Sequence, residues 1–490
     1  MEKTKRNNAY ANILKYTGIF GGVQALSILV ALVRNKLVAL LLGPMGVGLI
    51  TLFNSTIRFI GDATNLGIGT SAVKHISEAH ALGDTQTIRK TVQTIRAWSA
   101  ITALFGLAIC ALLSPLLSRY TFGWGKHTYH FLLLSPIVAM TAITGGELAI
   151  LKGTRHLGGL ARISIINVVM ALSISIPLFF IWRSKAIVPS MILVAFAQLM
   201  VTIAYSYHFH PLKLSFSRAI LREGGTMVKL GVGFFLASMF GSCAEFLIRS
   251  YVNNTGSPVT LGLFNAGYMI TITYGGMVFS AMETDYFPRL SAVAHTGTTL
   301  NNTVNKQIEV SLLIISPMLI GLIIGLPVII PLLYSGSFLP VCSMAQLTAL
   351  AMFLRAVKLP IAYLPLSRGD SKAYLLMEGI YAVVYVILAV VCFHTLGLIG
   401  MGIAIVLVAS FDFIMLNAYM AHRYGYRMSG SVIKLILQQF PIGIAAYLLT
   451  LKGKGMTYWV TGILLFILSS VLSYFALKKR THTNTNAKTN

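Results

Sequence analysis

The chain has 490 residues, 56% of them hydrophobic and only 10% charged, with a mean hydropathy of +0.78. A soluble domain carries about 25% charged residues, so too little polar surface is available to wrap a soluble core, and the chain reads as a polytopic membrane protein. The net charge of +25, from 38 Lys+Arg against 13 Asp+Glu, then signifies basic cytoplasmic loops rather than a nucleic-acid surface.

The start, MEKTKRNNAY, is polar and basic and reads as no cleavable signal. Apolar runs of spanning length follow at 12–42, 47–72, 95–118, 130–152, 158–182, 186–208, 228–252, 258–286, 310–334, 343–366, 373–395, 397–420, 432–451 and 456–477. They predict an all-α bundle of about fourteen transmembrane helices, since the runs are far longer than barrel strands. Most Lys and Arg fall on one side: the amino terminus with Lys15, the even-numbered loops with Lys74, Arg96, Arg155, Lys213, Arg289 and Arg368, and the tail. The other side has few, among them Arg119, Lys126, Arg183, Lys185, Lys452 and Lys454. Both termini are therefore expected in the cytoplasm.

Charges within spans are the sharpest functional signal in such a chain. The first span holds Arg34 and Lys36, the second Arg58 and Asp62, the fourth Glu147, and the seventh Glu245 and Arg249. The eighth ends with Glu283 and Asp285, the tenth holds Arg355 and Lys358, the eleventh Glu378 and the twelfth Asp412. Each has a plainer reading. Arg58–Asp62 and Glu245–Arg249 are i,i+4 pairs that can neutralise one another. Arg34 and Lys36 can snorkel if the first helix ends early. Glu283, Asp285 and Glu378 can sit at wet helix ends. Arg355 and Lys358 share a face with no acid within a turn, which favours a cavity. Gln346 and other uncharged polar residues read as interhelical glue.

An internal repeat is visible at a shift of about 214 residues. It aligns Lys15 with Lys229, Arg34 with Arg249, Lys74 with Arg289 and Arg155 with Arg368. The expected organisation is two parallel six-helix lobes, 1–212 and 228–422, joined by a cytoplasmic linker at 213–227. Two additional helices at 423–478 and a cytoplasmic tail at 479–490 complete it. The span charges fall on matching helices of the two halves, as a polar cavity between lobes requires. Asp62, Glu147 and Glu245 are candidates for coupling a proton or sodium ion.

No GxxxxGK[ST] loop, HExxH pair or nucleophile–base arrangement occurs, and the four cysteines stand alone. Neither an enzyme, a metal site nor a cofactor is expected. "GPMGVGL" after the long first helix, "LGIGTSAVKHISE" closing the second and "YFPRLS" closing the eighth resemble the polysaccharide flippases, the Wzx-type O-antigen translocases of the MOP exporter superfamily. That resemblance implies a two-lobed transporter in the bacterial inner membrane. It implies movement of an undecaprenyl-diphosphate-linked oligosaccharide to the periplasmic leaflet, in company with polysaccharide polymerase machinery. Arg34, Lys36, Arg58, Arg249, Arg355 and Lys358 would then hold the diphosphate in a cationic cavity. A lipid II flippase and a multidrug or cation antiporter of the same superfamily are the alternatives; interior cations argue against a cation-drug exporter.

Overall fold

The computed structural model describes the backbone of residues 2–81, 85–123, 127–154, 156–211, 216–293, 297–453 and 455–489. Side chains are described over the same residues except 2–25, 70, 81, 157, 219, 221, 226, 230–234, 280–281, 283–285, 288 and 480–489. Lys126, Arg155, Lys213 and Lys454 lie outside the described residues, as do the side chains of Lys15, Glu283 and Asp285 and most of the tail.

The described residues are helical with no strand, as the long apolar runs require. In lipid every backbone amide must find its partner within the segment, and uninterrupted helices do this. The chain divides into two compact units, Met1–Leu261 and Gly262–Asn490.

The first unit contains α1 (Glu2–Thr64), α2 (Ile68–Ala81), α3 (Thr85–Thr121), α4 (Thr128–Gly153), α5 (Leu157–Trp182), α6 (Ile187–Phe209) and α7 (Arg218–Thr255). Two spans lie within α1, which is broken at Gly43 (φ 63, ψ −172). That backbone conformation is open to glycine almost alone. Pro44 then occupies the first turn of the second half, where its missing N–H costs nothing. Arg183 donates to the carbonyl of Leu41 across 3.1 Å, satisfying one of the free carbonyls before the break. A 3-10 turn at Arg183–Ala186 connects α5 to α6. The side chain of Ser217 caps α7, accepting from the N–H of Ile220, and α7 packs on α1, α2 and α3.

The second unit runs from the end of α8 (Pro258–Tyr268) through a π-helical stretch at Met269–Tyr274 into α9 (Gly275–Ala292). Next come α10 (Gly297–Leu333), α11 (Cys342–Ala362), the short α12 (Leu364–Ser367), α13 (Ser371–Tyr424), α14 (Gly430–Thr450) and α15 (Met456–Thr489). Like α1, α13 holds two spans, divided at Gly397 (φ 58, ψ −136). At its core α10 meets α11, α14 and α15, and α11 lies between α10 and α13.

Nine helical segments among the described residues are long and apolar enough to cross a membrane, and three of them contain the breaks just named. Large apolar side chains point outward along them, with Leu112 79% and Ile414 66% exposed, as a lipid-facing surface demands. The interior is fastened by polar glue. Gln346 of α11 donates to the carbonyl of Ile323 on α10, and Tyr286 of α9 donates to that of Pro360 on α11. Helices α14 and α15 are tied in equally. Gln439 bridges to Ser469 and Ser473, and Tyr458 donates to Ile324. Buried Asn305 on α10 takes hydrogen bonds from Tyr426 and Ser429 and gives one to the carbonyl of Arg427.

Candidate functional site

Within the second unit, α11 and α13 enclose a cavity of about 290 Å³. On α11, Arg355 and Lys358 enter it together because i and i+3 share a helix face. On α13, Tyr374, Glu378, Tyr381 and Tyr385 follow one another at helical spacing and present a single stripe to the same space. Past the break at Gly397, Asp412 of α13 arrives from another direction, and Tyr268 and Ile272 approach from the end of α8 and the π-helical stretch. A π-helical turn adds a residue and rotates the side chains that follow, a device frequent at functional sites.

The charges in this cavity are unevenly matched. Lys358 is ion-paired with Asp412, which is buried, and its ammonium stands 4.6 Å from the centre of the Tyr381 ring. Arg355 lies 5.8 Å from the ring centre of Phe279, and no described carboxylate pairs with it. Two carboxylates thus accompany two cations among the described lining residues of this cavity. What it offers is one arginine without an acidic partner, a Lys–Asp pair that an anion can open, and a shelf of tyrosine rings.

In the first unit the predicted residues fall into three places. Arg34 donates to the hydroxyl of Ser175 on α5 at 3.2 Å. The first helix does not end before Leu37; it continues to the break at Gly43, so Arg34 and half-buried Lys36 belong to the helix wall and not to its end. Arg58, Asp62, Glu245 and Arg249 form one chain of ion pairs between α1 and α7. Arg58 lies 3.8 Å from Asp62 and 3.5 Å from Glu245, and Glu245 lies 3.3 Å from Arg249. Arg58 is the most exposed member, at 62%, whereas Arg249 is 13% exposed.

Glu147 is separate from both. Its carboxylate accepts two hydrogen bonds from Arg96, at 2.8 and 3.1 Å, and one from Ser206 at 2.5 Å. Arg96 also donates to the carbonyls of His210 and Pro211 and lies over the ring of Tyr207. Both charged side chains are 3% exposed. This geometry locks α3, α4 and the end of α6 together and leaves Glu147 little capacity to exchange an ion. Arg96, which the sequence groups with the cytoplasmic loop charges, is instead buried, because α3 begins at Thr85, ahead of the apolar run. The tyrosine stripe on α13 is a further feature of the site, legible in the sequence as Tyr374, Glu378, Tyr381 and Tyr385 at helical spacing.

The family described as "Polysaccharide biosynthesis protein" matches residues 37–343. No curated protein matches the chain in sequence. Among solved structures, the lipid II flippase MurJ in an inward closed conformation is similar with a TM-score of 0.70 at 13% identity, covering 94% of this chain and 99% of that one. An inward-facing MATE multidrug transporter of the MOP superfamily gives 0.65 at 17%, covering 81% and 95%. A MOP transporter from Pyrococcus furiosus, described as having a binding pocket of reverse polarity, gives 0.56 at 16%, covering 82% and 93%. At these identities the likeness shows the fold.

Proposed function

The chain belongs to the polysaccharide biosynthesis protein family, and on that premise we propose that it is a flippase carrying an undecaprenyl-diphosphate-linked oligosaccharide across a bacterial inner membrane. Both termini are cytoplasmic in this reading. The observation that carries it is Arg355, a cation without a described carboxylate partner, in a cavity shared with the Lys358–Asp412 pair and the tyrosine stripe.

A diphosphate suits these groups. The planar guanidinium of Arg355 can bind two phosphate oxygens at once. Lys358 is a mobile point charge that can leave Asp412 for a phosphate. Tyrosine rings offer apolar faces to the sugar that follows the diphosphate. At about 290 Å³ the cavity is sized for the head group, while the rest of the glycan needs aqueous space and the polyprenyl chain stays in lipid. Once Lys358 turns to the phosphate, Asp412 is a buried carboxylate without its cation. A cation taken up beside it would offset the cost, which would link substrate binding to cation binding. Arg34, Lys36, Arg58 and Arg249 are proposed as the phosphate-binding cations of the first unit, with Asp62 and Glu245 as its ion-coupling carboxylates. Glu147 is assigned to scaffolding.

A second reading is a lipid II flippase, favoured by the whole-chain likeness to MurJ. It shares the diphosphate chemistry. Deleting the gene separates the two: loss of a surface glycan with accumulation of its lipid-linked repeat unit supports the proposal, and arrested peptidoglycan synthesis supports lipid II. Arg355→Ala is expected to fail in complementation while still inserting in the membrane, with Arg355→Lys intermediate. Normal glycan in the deletion strain, or full activity of Arg355→Ala, overturns the reading.

A further inference from the structure

A second cavity in the same unit shares no lining residue with the first. It lies where the C-terminal ends of α9 and α15 meet the N-terminal parts of α10 and α14, and its volume is about 710 Å³. Four helices each contribute one cation: Arg289, Lys306, Lys434 and Lys479. Glu309 is the one carboxylate among the described lining residues, and it accepts from the hydroxyl of Ser431. Arg289 donates to Gln307 at 3.1 Å, which holds the guanidinium at the rim. Lys306 and Lys434 are exposed.

Below this rim the lining turns apolar, with Val310, Leu435 and Ala476. Further along two of the same helices, Ile314 and Met318 on α10 and Leu437 on α14 are 40%, 51% and 68% exposed. A soluble anion would use the cations but not this floor. A hydrocarbon chain would use the floor but not the cations. A molecule with a negative head and an apolar body uses both, and the space exceeds what one inorganic phosphate needs. Basic pockets between the ends of membrane helices are suited to such head groups, and exposed Lys306 and Lys434 supply charge to hold one.

We propose that this pocket binds an anionic phospholipid of the surrounding leaflet, phosphate against Lys306, Lys434 and Arg289 and acyl chains along α10 and α14. The lipid would fasten α14 and α15 to α10 from the membrane side. It is a site distinct from the substrate cavity around Arg355.

The test uses the purified full-length protein in mild detergent, titrated with fluorescent phosphatidylglycerol or phosphatidylcholine. Phosphatidylglycerol is expected to bind tighter, and Lys306→Gln/Lys434→Gln is expected to reduce that preference about 30-fold. Lys306→Arg/Lys434→Arg should retain it, and so should Arg355→Gln. Monodisperse elution of each variant controls for folding. If the double variant aggregates, the single variants carry the test, at about 5-fold each. Equal binding of the two lipids, or an unchanged preference in the glutamine variants, overturns the proposal. Competition by millimolar inorganic phosphate as effective as the lipid would instead assign a free-phosphate site. Stronger binding of undecaprenyl diphosphate, lost in the same variants, would make the pocket a substrate station.

Discussion

Replacing Arg96 with alanine removes the cation beside Glu147 at a position where neither group reaches solvent. The carboxylate keeps only the Ser206 hydroxyl, and the carbonyls of His210 and Pro211 lose their donor. Breaking a buried pair from one side costs about 3–5 kcal/mol, and each orphaned carbonyl adds about 1 kcal/mol. Removing both charges together with volume-matched apolar residues, as in Arg96→Met/Glu147→Leu, leaves no unpaired ion and should recover most of the loss. The assay is equilibrium unfolding of the purified protein in mild detergent, followed by circular dichroism and run as a double-mutant cycle. A coupling energy above about 2 kcal/mol is expected. The exposed pair Lys74–Glu78 serves as the control and should show about 0–1 kcal/mol. An Arg96→Ala protein within about 0.5 kcal/mol of the wild type, or a double variant as unstable as the sum of the singles, refutes the argument.

Three further outcomes are expected. Gly397→Ala should destabilise by about 1–3 kcal/mol, because the backbone there has φ 58 although a Cβ would meet nothing within 4 Å; an unchanged unfolding midpoint would show that the break can shift. Asp370 caps α13 by accepting from the N–H of Ala373, so Asp370→Ala should cost about 1 kcal/mol at neutral pH. That same hydrogen bond holds the Asp370 carboxyl below its ordinary range, so its contribution is present above that range and fades as pH falls through the lowered value; equal stability of variant and wild type at neutral pH would count against the cap. His127 is pushed below its ordinary 6.5 by burial and by His130, whose Nδ1 lies 3.2 Å from its own. Stability should decline as pH drops below about 6.5, with His130→Gln flattening the decline in thermal unfolding at about pH 7.5 and 5.5, and an identical slope in the variant would disprove the coupling.

Hydropathy was enough to reveal an all-helical chain with many membrane-spanning segments, because lipid demands apolar length whatever the packing. The glycine-rich stretch after Leu42 likewise announced a break, since few other residues reach the conformation of Gly43. Charge pairing was legible only within one helix. Arg58–Asp62 and Glu245–Arg249 follow from spacing, but Arg58–Glu245, Arg96–Glu147 and Lys358–Asp412 join residues on separate turns of the fold. Which face of a membrane helix meets a neighbour depends on packing against several others at once, and the sequence of one helix does not contain it. The burial of Arg96 is hidden for a related reason: a helix continues beyond its apolar run wherever protein takes over from lipid as its surroundings.

Asn305 also orders events in time. Its partners Tyr426, Arg427 and Ser429 lie up to 124 residues downstream. At 5–20 residues per second the ribosome needs about 6–25 s to supply them. During that interval the Asn305 amide has only the carbonyl of Asn301 on its own helix as a protein partner, and the face of α10 for α14 and α15 is uncovered. A nascent chain is therefore most vulnerable to quality-control proteases and most in need of an insertion chaperone between the emergence of α10 and the arrival of α14. The second unit is closed from its downstream end, and slowing translation between these helices would lengthen the exposed stage.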